Sequence, residues 1–304
     1  MKSNHKKKIL IVGGTGFIGY HMAKLAISKK MEVTSISTKK PVKKRFLKQV
    51  KYKFCDITKL NNLRKIITNR FDYIVNFGGY VDHTDKKKTF KSHYFGCVNL
   101  TKTVFKFKPS SFVQIGSGGE YGKLRSPHKE NYVCKATSNY SKAKLLSTKF
   151  LMNLYKEKKF PSTVIRLYQA YGSKQDLNRF LPVVITNCLK NKKFSTSNGS
   201  QYRDFIHVND LVNAIYKILI IKKTNGQIIN IGSGKPIKIK NIILKIIGLC
   251  KGGRPQFGQI KLRKEENLKT YPNINKAKKL LKWKPKISFN KGIAMTINSY
   301  EKNR

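Results

Sequence analysis

The stretch that most constrains this chain is Lys8–Val12 followed at once by Gly13-Gly14-Thr15-Gly16-Phe17-Ile18-Gly19. A short β-branched run, a tight glycine turn and an amphipathic segment over 18–29 read as strand, turn and helix. In that setting one glycine makes the turn and another lets the backbone approach a diphosphate. The last lets helix pack on strand, and the helix N-terminus faces the anion. A purely structural turn is the blander reading, but spacing, preceding strand and following helix agree on a dinucleotide site.

The same rhythm continues for half the chain. Apolar runs at 32–37, 52–55, 73–77, 112–116, 163–167 and 228–231 alternate with helical periodicity at 60–68, 94–105 and 140–155. Nearly continuous apolar strands between amphipathic helices predict a parallel sheet covered on both faces, and right-handed crossovers make it doubly wound. After Gly172 the rhythm breaks. Helices are expected over 178–191 and 208–221, a turn at Asn198-Gly199-Ser200, then short helices and loops ending in a helix near 292–302. The expected architecture is α/β: a Rossmann-type doubly wound parallel sheet over residues 1–172, with a returning strand and helix around 203–233. A smaller, interleaved substrate-binding domain takes 173–304. Lys86-Lys87-Lys88 reads as a solvated loop.

Composition then limits partners and compartment. The chain carries 65 Lys+Arg against 14 Asp+Glu, a formal charge of +51, which by itself points to nucleic acid. Only 10 of the 65 cations are Arg and the lysines are scattered, so the charge reads as a compositional background and nucleic acid is not the expected partner. The same self-repulsion predicts a stability that depends on salt. Cys55, Cys97, Cys134, Cys188 and Cys250 are odd in number and widely spaced, which suits reduced thiols and a cytoplasmic location. His5, His21, His83, His128 and His207 show no ligand spacing, so no metal is expected. The apolar run at Ile9–Val12 is too short for a signal peptide, and no stretch approaches the roughly 20 apolar residues of a membrane span.

Two further patterns carry chemistry. At the end of the second expected strand, an NAD site places a carboxylate for the ribose 2′-hydroxyl. Here the residues are Ser37, Thr38, Lys39 and Lys40, with Lys43, Lys44 and Arg45 beyond, which favours a 2′-phosphate and NADP(H) while leaving NAD(H) open. Tyr140 and Lys144 stand at i and i+4, one face of a helix. An ammonium beside a phenol favours the phenolate and lowers the tyrosine pKa. Ser117, after the fifth strand, supplies a hydroxyl for the same substrate oxygen.

With these residues in view, the chain resembles an extended short-chain dehydrogenase/reductase of the NAD(P)-dependent nucleotide-sugar epimerase/dehydratase family, over nearly its whole length. The stretches that match are GGTGFIG at 13–19, CDIT at 55–58, SGGEYG at 117–122, YSKAK at 140–144 and RLYQAYG at 166–172, then NRF at 178–180, QYRDFIHVNDL at 201–211, NIGSG at 230–234 and LKWKP at 281–285. The resemblance implies Tyr140 as acid/base, Lys144 as its pKa-lowering partner and ribose ligand, and Ser117 on the reacting oxygen. It implies that Gly13, Gly16, Phe17, Ile18 and Gly19 border the cofactor diphosphate, Ser37, Thr38 and Lys39 the adenosine ribose, and Asp56 and Ile57 the adenine. It places Gln169, Asn178, Arg203 and Arg263 on a nucleoside-diphosphate sugar, and a homodimer contact on the helix with Leu145, Leu146 and Phe150.

Departures from the pattern narrow the reaction. Dehydratases of this family carry an acid directly after the catalytic Ser or Thr, where this chain has Gly118 and Gly119. Glu120 comes one place late and, in an extended segment, points the other way. Asn76-Phe77-Gly78-Gly79 replaces a His-x-Ala-Ala pattern and is expected to leave space beside the cofactor. His93 and Gln169 stand where the family commonly has Asn, and His93 reads as a packing residue. The expected activity is NADPH-dependent reduction of a 4-keto-6-deoxy nucleoside-diphosphate sugar, as in the branch resembling CDP-abequose synthase, which serves surface polysaccharides such as lipopolysaccharide. A UDP-hexose 4-epimerase on retained NAD⁺ is the alternative, and a non-catalytic Rossmann-frame nucleotide- or RNA-binding protein a second.

Overall fold

A computed structural model of the chain describes residues 6–80, 85–262 and 267–301. The first half supplies strands β1 (Lys8–Val12), β2 (Glu32–Ser37), β3 (Val50–Phe54), β4 (Tyr73–Asn76), β5 (Ser111–Ser117) and β6 (Ser162–Leu167). The second half adds β7 (Gln169–Tyr171), β8 (Lys193–Ser195), β9 (Tyr202–His207), β10 (Ile228–Ile231), β11 (Pro236–Lys238), β12 (Arg254–Gln256) and β13 (Lys269–Thr270). β1 to β6 and β10 form one seven-stranded sheet in the order β10-β6-β5-β4-β1-β2-β3, every pair parallel. The strand order reverses between β1 and β4, the position at which open α/β sheets hold their ligands. This is the Rossmann-type fold expected.

The helices are α1 (Phe17–Ser28), α2 (Leu60–Ile66), α3 (Lys86–Phe90), α4 (Gly96–Phe105), α5 (Asn139–Lys158), α6 (Phe180–Leu189), α7 (Val208–Ile220), α8 (Ile239–Cys250), α9 (Asn275–Leu281) and α10 (Phe289–Glu301). β1 shows why the strands read as unbroken apolar runs. Ile9 and Ile11 face a core built with α1 and α7, while Leu10 and Val12 face one built with α2, α4 and α5. Full burial of each such side chain is worth about 1.5–3 kcal/mol. A third core gathers α6, α8 and α10 around Phe205 of β9.

Two local expectations are corrected. Lys86-Lys87-Lys88 is not a loop: Asp85 caps α3 by accepting from the Lys88 amide at 2.9 Å, and a π-helical turn over Lys91–Phe95 carries the chain on into α4. The segment after Ser117 is not extended but turns as a 3₁₀ helix over Gly118–Tyr121. The second half also contains a small sheet of β7, β9, β11 and β13 that short, polar strands concealed.

Candidate active site

The glycine turn meets its steric demands closely. Gly13 takes φ +80°, its amide donates to the Ile36 carbonyl at 2.7 Å, and the Gly16 amide donates to the Gly13 carbonyl at 3.1 Å. A Cβ at Gly19 would fall 2.3 Å from the Gly13 oxygen, so α1 seats on the turn only because residue 19 has none. No side chain caps the start of α1, which leaves its first amides directed at whatever lies beyond the turn.

Beyond it is a cavity of about 580 Å³ at the switch point. Gly13, Gly16, Ser37, Thr38, Asp56 and Ile57 line it, as does the loop of Phe77–Tyr80. Among the described residues lining it, Asp56 is the single acid, against Lys59, Lys88 and Lys91. A glycine cradle, an uncapped helix and this charge balance fit a dinucleotide. The other expected contacts are placed differently. Phe17 and Ile18 pack into the core and lie outside the lining, Gly19 serves packing, and Lys39 is exposed outside the lining too. Arg45 is withdrawn altogether: its guanidinium bonds the Lys174 carbonyl and the Asp176 carboxylate. Asn99, which sequence reading missed, holds the cavity wall by donating to the Ile57 and Thr58 carbonyls at 3.1 Å.

The residues expected to react meet where β5 ends and α5 begins. Ser138 caps α5 by accepting from the Ser141 amide at 3.1 Å, which fixes Tyr140 in the first turn and Lys144 in the next. Tyr140 hydrogen-bonds Ser117. Lys144 is 3% exposed; its Nζ donates to the Ile115 carbonyl at 2.6 Å and lies 5.8 Å from the centre of the Tyr140 ring. Burial pushes the ammonium down to about 8, with the Glu120 charge acting against it. The expectation for the phenol is corrected. Burial raises it above its ordinary value, the Ser117 hydrogen bond and the Arg179 charge pulling the other way.

Glu120 does point away from the reaction, but for a different reason than extended geometry. Its carboxylate turns back into the interior, accepting from the Ser117 amide at 2.9 Å, Thr148 at 3.0 Å and Arg166 Nε at 2.9 Å. Nor does the Gly78-Gly79 pair leave room beside the cofactor. A Cβ at 79 would fall 1.9 Å from the His93 ring, so the imidazole fills that volume. His93 meets the Tyr140 ring edge-on at 4.9 Å and its Nε2 lies 3.2 Å from the Tyr80 carbonyl, which joins the cavity loop to the tyrosine.

A second cavity, of about 430 Å³, brings Gln169, Asn178 and Arg203 together beside Phe180, Phe194 and Phe205. Its described lining contains no acid, and the first turn of α6 reaches it without a side-chain cap. Arg263 lies outside the described residues.

A family model described as the NAD dependent epimerase/dehydratase family matches residues 9–232, from β1 through β10. The chain belongs to the NAD dependent epimerase/dehydratase family. Its relatives are distant. A dTDP-D-glucose 4,6-dehydratase of Dictyostelium discoideum is 26% identical over 80% of this chain, which spans 62% of that protein. A putative UDP-glucose 4-epimerase of Methanocaldococcus jannaschii is 25% identical over 97% of this chain and 99% of its own. Among solved epimerase/dehydratase structures, a UDP-glucose 4-epimerase of Thermotoga maritima with UDP-glucose superposes with a TM-score of 0.92 at 21% identity, covering 97% of this chain and 99% of that one. A dTDP-glucose 4,6-dehydratase of Bacillus anthracis in complex with NAD gives 0.88 at 25% identity, covering 98% and 97%. Among the described residues of this family member, no helix is long and apolar enough to cross a membrane, and no group of three or more His, Cys, Asp or Glu could hold a metal.

Proposed function

We propose that this protein carries out redox chemistry at a ring carbon of a nucleoside-diphosphate sugar, and specifically that it reduces a 4-keto-6-deoxy sugar with NADPH. The observation that carries this reading is the surroundings of Ser117. Ser117, Tyr140 and Lys144 stand together, yet the acid a dehydratase needs has no place. A Cβ at Gly118 would fall 2.8 Å from the Tyr168 ring, and one at Gly119 would fall 2.7 Å from the Ser141 hydroxyl. Elimination of water needs that acid/base pair; adding hydride to a carbonyl, or removing it from a carbinol carbon, does not.

A nicotinamide dinucleotide in the 580 Å³ cavity would supply the hydride. Tyr140 then gives its proton to the oxygen that gains charge. Ser117 stabilises the same oxygen, and the buried Lys144 ammonium provides a fixed positive charge behind the phenol. Ser37 and Thr38 border the cofactor end where a carboxylate would select NAD, which supports NADP(H). Gln169, Asn178 and Arg203 supply the second cavity with donors for a diphosphate and ribose, and Arg263 is assigned to the same ligand. Leu146, 38% exposed, and Phe95, 48% exposed, support a homodimer through α5 and the π-helical turn before α4.

A 4-epimerase is the second reading, supported by the full-length match to the Methanocaldococcus jannaschii protein. NADPH oxidation against CDP-, dTDP-, GDP- and UDP-linked 4-keto-6-deoxy sugars tests the choice, with mass spectrometry of copurified cofactor as its control. Stoichiometric NADPH consumption supports reduction. Turnover with no added cofactor, on tightly held NAD⁺, overturns it.

A further inference from the structure

We infer that Glu120 is a positioning residue for the reacting groups: its buried carboxylate ties the strand end bearing Ser117 to the helix bearing Tyr140 and Lys144, and opposes the charge of Lys144. The inference rests on the assignment of those three residues as the reacting set.

The carboxylate is fully buried and its hydrogen bonds are short. Oε1 accepts from the Ser117 amide at 2.9 Å, completing a box in which the Ser117 hydroxyl accepts from the Gly119 amide at 3.0 Å. The serine is therefore held from its own backbone and from its hydroxyl. Oε2 faces α5, where the Thr148 hydroxyl lies 3.0 Å away and also 3.1 Å from the Lys144 carbonyl. Thr148 stands one turn beyond Lys144, so the carboxylate fixes the distance between β5 and the helix rung that carries the ammonium. Gly116 makes room for it, since a Cβ there would fall 2.5 Å from Oε1.

Charge follows the same path. Lys144 is enclosed by Glu120 from the turn after β5, Cys97 from α4 and Tyr140 on its own helix. Among the described residues, Glu120 is the carboxylate that acts on it, and Tyr140 feels the same charge. Arg166, on β6, balances Glu120 from the far side at 2.9 Å, with its guanidinium 4.5 Å over the Tyr121 ring. A carboxylate serving only to neutralise Arg166 would have no need of the Ser117 amide or of Thr148.

Removing the negative charge weakens the hold on the Lys144 proton and on the Tyr140 proton alike, so both shifts move the alkaline limb of the pH–rate profile to lower pH. The test compares Glu120→Gln, the double variant Glu120→Gln/Arg166→Met and Thr148→Val with wild type and Tyr140→Phe, in NADPH oxidation with the sugar nucleotide that the panel identifies, or in epimer exchange if that is the activity found. The single variant leaves Arg166 buried and unpaired and stands to fold poorly; the double variant removes both charges together. The expected result is a fall in kcat of about ten- to a hundredfold with KM little changed, and an alkaline limb displaced downward, in the double variant. Thr148→Val, nearly isosteric, loses a smaller part of kcat without moving the limb, and carries the test if neither Glu120 variant folds. A folded double variant with wild-type kcat and profile, or an unaltered Thr148→Val where the others fail, overturns the inference. If Tyr140→Phe retains full activity, the assignment of the reacting set fails instead, and the two failures are distinct.

Discussion

The ring of Tyr168 occupies the volume that a side chain at position 118 would need: a Cβ on Gly118 comes within 2.8 Å of the Tyr168 Cζ. Tyr168 is itself fixed, its hydroxyl 2.8 Å from His128 Nδ1 in a buried pocket. The pair therefore closes the position from which an acid could reach a sugar beside Ser117.

Gly118→Asp accordingly yields no dehydratase. Overpacking against Tyr168 should cost about 1–3 kcal/mol, read as a lowered midpoint in urea. Formation of a dehydrated product by the folded variant contradicts this account of the site.

Tyr140→Phe removes the proposed proton donor while keeping the ring that His93 abuts. Turnover should fall by about 10²- to 10⁴-fold with cofactor affinity retained, checked by fluorescence titration of NADPH. A variant that loses cofactor affinity and rate together assigns the hydroxyl to binding instead.

Lys144 makes a pH prediction with a definite sign. Burial brings its ammonium to about 8 in the fold, against 10.5 for an ordinary lysine. Between those values the unfolded chain binds this proton more tightly, so the fold gains stability from this group as pH rises through the window. The gain is on the order of 3 kcal/mol. Urea unfolding of wild type and Lys144→Met should therefore diverge in favour of wild type as pH rises from about 8 to 10.5. A difference that stays flat with pH places the ammonium in a solvated setting. Catalysis runs oppositely, declining above about 8 as the charge behind Tyr140 is lost.

Gly79→Ala drives a methyl into the His93 ring at a position with φ +156°. The substitution should destabilise the fold by about 1–3 kcal/mol and reduce kcat, because the displaced imidazole no longer abuts Tyr140. Adding His93→Ala should return part of the lost stability, the backbone strain at 79 remaining. Strictly additive effects in the double-mutant cycle contradict the contact.

Ser37→Asp places a carboxylate at the end of β2, where the Ser37 hydroxyl now accepts from the Thr15 amide at 3.4 Å. Against a 2′-phosphate it should weaken NADPH binding by about ten- to a hundredfold while sparing NADH. Equal losses for both cofactors would remove the basis for an NADP(H) preference.

Much of this was legible in the chain. Most main-sheet strands were marked by runs such as Lys8–Val12 and Ile228–Ile231, because strands buried on both faces have no polar alternation to blur them, whereas the edge strand Val50–Phe54 alternates with lysine and is largely exposed. The small second sheet was not, since Tyr202–His207 mixes Arg, Asp and His with its aromatics, and Lys269–Thr270 is only 2 residues long. α8 is one 12-residue helix where shorter pieces are expected, although Ile239, Ile242, Ile243 and Ile246 mark its buried face at helical spacing. That Ser117, Tyr140 and Lys144 lie close together could be expected from order and spacing, but their electrostatics could not. The phenol's raised pKa comes from burial, which depends on packing that spacing does not encode. Gly79 with His93, and Gly118 with Tyr168, are pairs separate in sequence, so the space expected at Gly79 proves to be filled and the crowding at Gly118 could not be foreseen.

The central claim is net reduction by NADPH with Tyr140 as the proton donor. The most direct test is to follow NADPH absorbance with the 4-keto-6-deoxy nucleotide-sugar panel, for wild type and Tyr140→Phe side by side. The account predicts one-to-one NADPH loss and 4-hydroxy product with one panel member in wild type, and almost none in the variant. Conversion of a UDP-hexose to its epimer with no NADPH consumed would contradict it.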